Sequence, residues 1–331
     1  MRLLKHRDGE SLTLPGPTQA PEQVHCFEQC EIDAVHAALA ARRPLLVRGD
    51  PGVGKSQLAR ALALDLGMAY VQHVIDIRTE SRDLLWHFDA VGRLADAQLR
   101  GALAGHCGAD PAAVAVASTL LQEALAVERY LDPGVLWWAF DWDGARARAQ
   151  ARGRPVPALM EGCDPANGVV VLIDELDKAE SDVPNGLLEA LGAGCFTPQG
   201  LTEPVVMTGL PPLVIITTNE ERTLPDAFLR RCLVLVLALP VEVQALEDRL
   251  VARGAAHFPA ADPGVLREAA RQLIADRQAA ERAHWRPLPG QAEYLDLVRA
   301  VLELGATPAD QQALLATIGR YVLRKHLGTP G

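Results

Sequence analysis

The segment 45–56, LLVRGDPGVGKS, limits the possible folds of this chain more than any other stretch. Its apolar start, residues 45–47, predicts a short buried strand of a parallel sheet. Residues 49–56 then match G-x-x-x-x-G-K-[ST] at every fixed position. Leu58, Ala61 and Leu62 follow at helical spacing. A strand, a glycine-rich loop and a helix in this order predict a phosphate-binding loop rather than a turn that contains a lysine by chance.

The residue types of this loop suit a triphosphate and its metal ion. Glycines let the backbone turn tightly and direct N–H groups at phosphate oxygens, and the following helix adds the positive end of its dipole. Lys55 reaches the β- and γ-phosphates, and the Ser56 hydroxyl ligates Mg²⁺. The sequence therefore predicts ATP and Mg²⁺ as ligands. The predicted nucleotide-binding residues are Gly49, Asp50, Pro51, Gly52, Val53, Gly54, Lys55, Ser56 and Gln57.

A second strand ends in two acids. Residues 168–175 read GVVVLIDE, and such an aliphatic run is typical of a strand buried on both faces of a parallel sheet. Asp174 is predicted to hold Mg²⁺ together with Ser56, and Glu175 to polarise the attacking water as general base. The alternative is an acidic turn after a core strand, which the phosphate loop upstream disfavours.

Three more apolar segments complete the predicted sheet. Residues 70–74 predict its second strand, and residues 233–237 its fifth. The strand at 213–218 ends in Asn219, whose amide could orient the lytic water. Arg230 and Arg231 stand just before the fifth strand.

Composition narrows the class of protein. The net charge of −10 argues against broad nucleic-acid binding, and no run of 18 apolar residues predicts a membrane span. The start of the chain lacks the apolar region of an export signal. The six cysteines form no zinc pattern, and we expect buried, reduced thiols in a cytoplasmic protein.

The chain divides into a lead-in, 1–24, a nucleotide-binding α/β domain, 25–240, and a C-terminal α-helical domain, 241–331, with predicted helices at 265–283, 294–304 and 308–327. The region 75–168 is predicted to be an inserted unit, because it is too long for a simple connection. Within it, Asp110-Pro111 predicts the start of a helix that runs to about Tyr130. Four tryptophans predict either packing of the insert or a partner-binding surface: Trp86, Trp137, Trp138 and Trp142. A solvated basic loop is predicted for Arg146, Arg148, Arg152 and Arg154.

With these motifs in place, residues 27–239 resemble the AAA+ ATPases and, within them, the MoxR group. The resemblance implies a P-loop NTPase fold with a five-stranded parallel sheet of order 5-1-4-3-2 and a C-terminal helical lid. It also implies a hexameric ring in which neighbouring subunits share each ATP. Hydrolysis would remodel or activate a partner protein, often one with a von Willebrand factor A domain.

The resemblance also assigns roles. Residues 49–56 correspond to the Walker A loop, Asp174-Glu175 to the Walker B pair, Asn219 to sensor 1 and Arg231 to the arginine finger. The segment 196–208 resembles the pre-sensor-1 hairpin, and part of 79–140 resembles the helix-2 insert. The sensor-2 position of the family usually holds an arginine, which the matching segment 288–293, LPGQAE, lacks.

Two other functions remain open at the level of sequence. One is a signalling or scaffolding switch of a defence or regulatory system, in which ATP binding matters more than turnover. The other is a nucleic-acid motor, which the acidic balance disfavours. Stimulation of the ATPase by a protein client, stable assembly without turnover, and stimulation by DNA would distinguish the three.

Overall fold

The computed structural model describes residues 3–16, 23–104, 119–180 and 182–323. Its strands are β1 (Ser11–Leu14), β2 (Gln23–Cys26), β3 (Leu45–Arg48), β4 (Met68–Val74), β5 (Trp86–Phe88), β6 (Leu131–Pro133), β7 (Asp164–Asp174), β8 (Cys195–Phe196), β9 (Val205–Val206), β10 (Leu213–Thr218) and β11 (Leu233–Val236). Its helices are α1 (Gln29–Ala41), α2 (Lys55–Leu66), α3 (Ala90–Ala104), α4 (Val135–Phe140), α5 (Trp142–Ala151), α6 (Asp182–Ala193), α7 (Asp226–Leu229), α8 (Val243–His257), α9 (Pro263–Arg282), α10 (Gln291–Leu304) and α11 (Pro308–Val322).

Five strands form a parallel sheet in the order β11-β3-β10-β7-β4. Numbered along the chain, this is the predicted order 5-1-4-3-2. The pairing sets Thr218 of β10 beside Arg48 of β3, and Ile216 beside Ile173 of β7. Because all these strands are parallel, the carboxyl ends of β3, β7 and β10 meet at one edge of the sheet. The predicted site residues that follow each strand are thereby brought to the same place.

The alternation of side chains along the strands builds a core on each face of the sheet. Leu45 and Val47 of β3 belong to one core together with Leu58 of α2, whereas Leu46 belongs to the other. Every residue of β10 is buried. The nearly continuous aliphatic sequence of these strands follows from this double coverage, as predicted.

The region between β4 and β7 has secondary structure of its own. Strands β5 and β6 pair antiparallel, and helices α3, α4 and α5 surround them. Trp137 and Trp138 of α4 are buried, which favours packing of the insert over partner binding for these two. The start of the helix predicted at Asp110 lies outside the described residues. Its predicted second half is helical only over 119–124, and a 3₁₀ turn follows at Val127–Tyr130.

The prediction of a solvated basic loop at 146–154 is wrong. Arg146 and Arg148 lie on helix α5, and Arg152 and Arg154 follow directly after it. Arg152 pairs with Asp89 at 3.0 Å and with Asp132 at 2.7 Å, and Arg154 pairs with the same two carboxylates. These contacts hold the end of α5 to the β5-β6 pair, so the arginines serve the packing of the insert. The composition of the segment gave no sign of the distant aspartates.

Among the described cysteines, the expected burial is found only for Cys232. Cys26, Cys163 and Cys195 are half-buried, and Cys30 is exposed on α1. The predicted hairpin at 196–208 is present as the antiparallel pair of β8 and β9.

Gly67 ends α2 in the left-handed conformation, with φ of 65°, and its N–H donates to the last turn of the helix.

The chain after 240 is helical as far as it is described. The three predicted helices correspond to α9, α10 and α11, and α8 adds a helix that no periodicity had indicated. Gly254 lies within α8, where a Cβ atom would approach the Tyr294 hydroxyl to 2.4 Å. This glycine therefore allows α8 to pack closely against α10.

The proposed division of the chain into domains at residues 24 and 240 stays a prediction. No helix in the described ranges is long and apolar enough to cross a membrane.

We expect Ile215→Ala to lower the free energy of unfolding by about 2–5 kcal/mol, because it leaves a cavity in the core that Ile215 shares with Leu45 and Leu58. Ile215 is 0% exposed on the central strand β10. Val236→Ala on the edge strand β11, where Val236 is 61% exposed, should change it by less than about 0.5 kcal/mol. Urea unfolding followed by circular dichroism measures both. Equal effects of the two substitutions would contradict the assignment of the core.

Candidate functional site

The glycine-rich loop connects β3 to α2 in a conformation that requires its glycines. Gly49, Gly52 and Gly54 have φ angles of 148°, 79° and 99°. A Cβ atom on Gly49 would lie 2.1 Å from the carbonyl oxygen of Leu237, an impossible contact. Pro51 and Val53 complete the loop between them. The pattern in the sequence therefore reflects backbone geometry at these positions.

Lys55, the first residue of α2, is almost buried, with 7% of its surface exposed. Its Nζ donates to the carbonyl oxygens of Gly49 at 2.7 Å and Asp50 at 3.0 Å, and to Oδ1 of Asn219 at 2.7 Å. These bonds use all three donors of the ammonium group. Burial lowers the pKa of Lys55, and the negative charge of Asp174 opposes that shift.

Ser56 and Asp174 meet as predicted for a magnesium site. The Ser56 Oγ lies 2.8 and 2.9 Å from the two carboxylate oxygens of Asp174. Thr217 on β10 donates its hydroxyl to Asp174 Oδ1 and accepts from the Glu175 amide at 2.9 Å. Hydroxyl and carboxylate oxygens are ligands that Mg²⁺ prefers, so this donor set fits the ion. Thr217 escaped the sequence analysis, although it stands two residues before Asn219.

Glu175 has an unusual backbone conformation and a partner of its own. Its φ of 61° lies in the left-handed region, which is uncommon for residues other than glycine. About a third of its side chain is exposed, and Oε2 accepts from Lys178 Nζ at 2.5 Å. This hydrogen bond raises the pKa of Lys178. Nothing in the sequence singled out Lys178, because a lysine three residues after an acid is common on any protein surface.

Asn219 lies at the same edge of the sheet, directly after β10. Its side chain accepts from Lys55, and its backbone amide donates to Asp177 Oδ2 at 3.2 Å. Gln57, the remaining predicted residue, donates instead to the carbonyl of Val24 at 3.2 Å and so ties α2 to β2. A cavity of about 300 Å³ lies between these elements. Its lining is Pro51, Gly52, Gly54, Lys55, Ser56, Gln57, Asp174, Glu175, Thr217 and Asn219.

The helical region after 240 contacts this loop from outside. A Cβ atom on Gly52 would lie 2.9 Å from Cβ of Ala292, at the start of α10. Arg277 of α9 places its guanidinium 3.6 Å from the Asp50 carboxylate and donates to the carbonyl of Pro289 at 3.0 Å. The segment 288–293 itself brings no arginine, but α9 supplies a cation at the rim of the loop. No feature of the sequence near 277 had indicated this contact.

Arg231 lies away from the other predicted site residues. It precedes β11 at the amino end of the sheet, and its side chain is exposed. Arg43 Nε donates to the Arg231 carbonyl at 3.1 Å, and Arg43 also donates to the Arg230 carbonyl. The segment from Arg43 to Gly49, which contains β3, spans roughly 20 Å at about 3.3 Å per residue. The guanidinium of Arg231 therefore cannot reach the loop of its own chain.

Comparisons with known proteins identify the family of this chain through a sequence match. Residues 44–232 match the AAA domain family, in its dynein-related subfamily. No curated protein is significantly similar in sequence. Among solved structures, a mutant of RuvB from Thermotoga maritima is similar at 13% identity and a TM-score of 0.45, over 86% of this chain and 66% of that one. Since the family match covers more than half of the sequence and includes the phosphate loop and the strands beside it, the chain belongs to the AAA family.

Proposed function

We propose that this protein binds and hydrolyses ATP with Mg²⁺ as part of an oligomeric ring, and uses the reaction to remodel or activate a partner protein, as MoxR-type AAA+ ATPases do. One observation carries the proposal. At the edge of the sheet where the glycine-rich loop turns, the side chain of Lys55 is hydrogen-bonded to that of Asn219, and the side chain of Ser56 to that of Asp174. Glu175 lines the same cavity.

The first role of these residues is to hold the triphosphate. The loop amides and Lys55 bind the phosphate oxygens. To do so, Lys55 exchanges its hydrogen bonds to Gly49, Asp50 and Asn219 for hydrogen bonds to the phosphates. Ser56 and Asp174 hold the metal, and the hydrogen bond between the two side chains supports this role because it brings their oxygens close together. Bound Mg²⁺ supplies positive charge that stabilises the phosphates during transfer.

Glu175 and Asn219 act on the attacking water. Glu175 accepts the proton of the water as general base, for which it must release Lys178. Asn219 orients the water through its amide once Lys55 has turned to the phosphates.

The ring follows from the position of Arg231. An arginine that stabilises charge on the transferred phosphoryl group contributes about a thousandfold or more to the rate. Arg231 is exposed and lies at the opposite end of the sheet from Lys55, so it serves the site of a neighbouring subunit. Neither Arg230 nor Arg231 has an ion pair within the described part of the chain, and both are therefore available to another copy. The number of subunits, six in the family that the sequence resembles, is part of the proposal.

A regulatory switch is the second candidate function. The observation in its favour is the ion pair of Glu175 and Lys178, since an enzyme whose general base is engaged in an ion pair hydrolyses ATP slowly. A client protein, such as one with a von Willebrand factor A domain, that accelerates hydrolysis would favour remodelling. Stable ATP-bound assemblies with negligible turnover would favour the switch.

The roles of Lys55 and Glu175 are tested together. Lys55→Ala should abolish binding of a fluorescent ATP analogue, because the phosphates lose their buried cation. Glu175→Gln should bind ATP and hydrolyse it at least about 100-fold more slowly, since it lacks the base. Size-exclusion chromatography of Glu175→Gln should show a larger assembly with ATP than without it.

Glu189→Gln is the matched control, since it makes the same change on the exposed side of α6. It should keep the activity of the wild type. Full activity of Glu175→Gln would remove this residue from catalysis, and tight ATP binding by Lys55→Ala would reject the phosphate site.

The role of Arg231 is tested by mixing variants. Arg231→Ala should lower steady-state ATPase by about a thousandfold in assembled protein, and the neighbouring Arg230→Ala should have a much smaller effect. A mixture of Arg231→Ala and Lys55→Ala subunits should regain activity, because some interfaces then pair an intact loop with an intact arginine. Unchanged activity of Arg231→Ala, or no recovery in rings proven to be mixed, would show that the assignment in trans is wrong.

A further inference from the structure

Asp177 is a buried carboxylate that the mechanism above does not use. It stands in the 3₁₀ turn Leu176–Lys178, directly after Glu175, and is 2% exposed. Its Oδ2 accepts two backbone hydrogen bonds, from the amide of Asn219 at 3.2 Å and from that of Glu221 at 2.9 Å. Burying a charge is costly unless strong hydrogen bonds compensate it. The two amides supply that compensation for one oxygen.

The second oxygen of Asp177 is not used in this way. Oδ1 is buried and has no hydrogen-bond partner in the described part of the chain. A neutral side chain with one acceptor oxygen could therefore make the same hydrogen bonds as the Asp177 carboxylate. The function of Asp177 depends either on the hydrogen bonds of Oδ2 or on the negative charge of the group. Substitutions at position 177 distinguish these two explanations.

The position of Oδ2 matters because it joins two separate turns. Strand β7 ends at Asp174 and strand β10 at Thr218, and the chain leaves the sheet after each of them. The turn after β7 carries Glu175, and the turn after β10 carries Asn219. Glu220, between the two amides, has φ of 62° and forms an ion pair with Arg48 at the end of β3. Asp177, which follows β7, and Arg48, at the end of β3, therefore fix the Asn219 turn from the two strands that flank β10.

We infer that Asp177 is a positioning residue for hydrolysis. Its carboxylate fixes the Asn219 turn to the Glu175 turn, so that the amide and the general base approach the same water together. The inference rests on the proposed ATPase function. Asp177 acts through hydrogen bonds to the backbone and has no contact with substrate, so it affects the rate of hydrolysis much more than the affinity for ATP.

The charge of Asp177 is the competing explanation. Its negative charge acts on Lys55, where it counters the lowering of the Lys55 pKa by burial. If that were the main role, any neutral residue at 177 would weaken nucleotide binding. If the hydrogen bonds are the main role, an acceptor at the same place suffices and a displaced carboxylate does not.

The test compares Asp177→Asn with Asp177→Glu. Asparagine keeps an acceptor oxygen in place and removes the charge, whereas glutamate keeps the charge and moves the acceptor by one methylene. We expect Asp177→Asn to retain the kcat of the wild type within about threefold. The kcat of Asp177→Glu and of Asp177→Ala should fall by about 10- to 100-fold, a loss that a displacement of about 1 Å at the site can cause. Affinity for a fluorescent ATP analogue should change by less than about threefold in all of them.

Two further measurements separate positioning from loss of stability. Asp65→Ala is the matched control, because Asp65 is also 2% exposed and accepts a backbone amide, that of Lys5, at 2.7 Å near the far end of α2. It should lower the thermal midpoint as Asp177→Ala does and leave kcat unchanged. In an Asn219→Ala background, Asp177→Glu should cost less than about threefold, since residues that act through one another are not additive.

Several outcomes would overturn the inference. These are a loss in Asp177→Asn as large as in Asp177→Glu, full kcat in Asp177→Glu, or additive losses with Asn219→Ala. A wild-type protein without Mg²⁺-dependent ATPase would reject the proposed function itself, and the role of Asp177 with it. An active wild type with an inactive Glu175→Gln leaves the proposed function standing, whatever Asp177 does.

Discussion

The carboxylate of Asp174 joins three parts of the fold at the edge of the sheet. It is the last residue of β7, and it accepts from Ser56 at the start of α2 and from Thr217 on β10. These contacts exist because the parallel register sets the ends of β7 and β10 side by side. The amide of Glu175 then donates to the same Thr217 hydroxyl. The chemistry of the site therefore depends on the register of two buried strands.

Several residues of the site depart from the usual local rules of protein structure. Lys55 is almost fully buried, Glu175 adopts a left-handed backbone, and one buried oxygen of Asp177 has no hydrogen-bond partner among the described residues. Each feature costs free energy that the two cores on either side of the sheet must offset. Such departures are typical of places where geometry is selected for reaction rather than for stability. Here they all lie within the turns that follow β3, β7 and β10.

Under the proposed function, three bodies surround each triphosphate. The edge of the sheet contributes the loop, the metal ligands and the water-activating residues. The helical region lies against the loop through Ala292 and Arg277, and a second subunit contributes Arg231. A change in any one of them is felt by the others, which links turnover to assembly and to the client. Asp177 adds a link within the site, because its hydrogen bonds couple the turns that carry Glu175 and Asn219, the two residues that act on the water.

The sequence by itself determined the order of the five sheet strands along the chain and the chemistry of the loop, because periodicity and the glycine pattern are local properties. It predicted the sheet order through a family resemblance. It named Lys55 and Ser56 from the pattern of the glycine-rich loop, and Asp174, Glu175 and Asn219 from the ends of two predicted strands. It could not reveal Thr217, Asp177 or Arg277, whose partners lie far away along the chain. It also misassigned Arg152 and Arg154, whose aspartates lie twenty or more residues upstream. Only tertiary structure decided these contacts, because the register of parallel strands and the packing of helices bring distant residues within hydrogen-bonding distance, and no local pattern encodes that proximity.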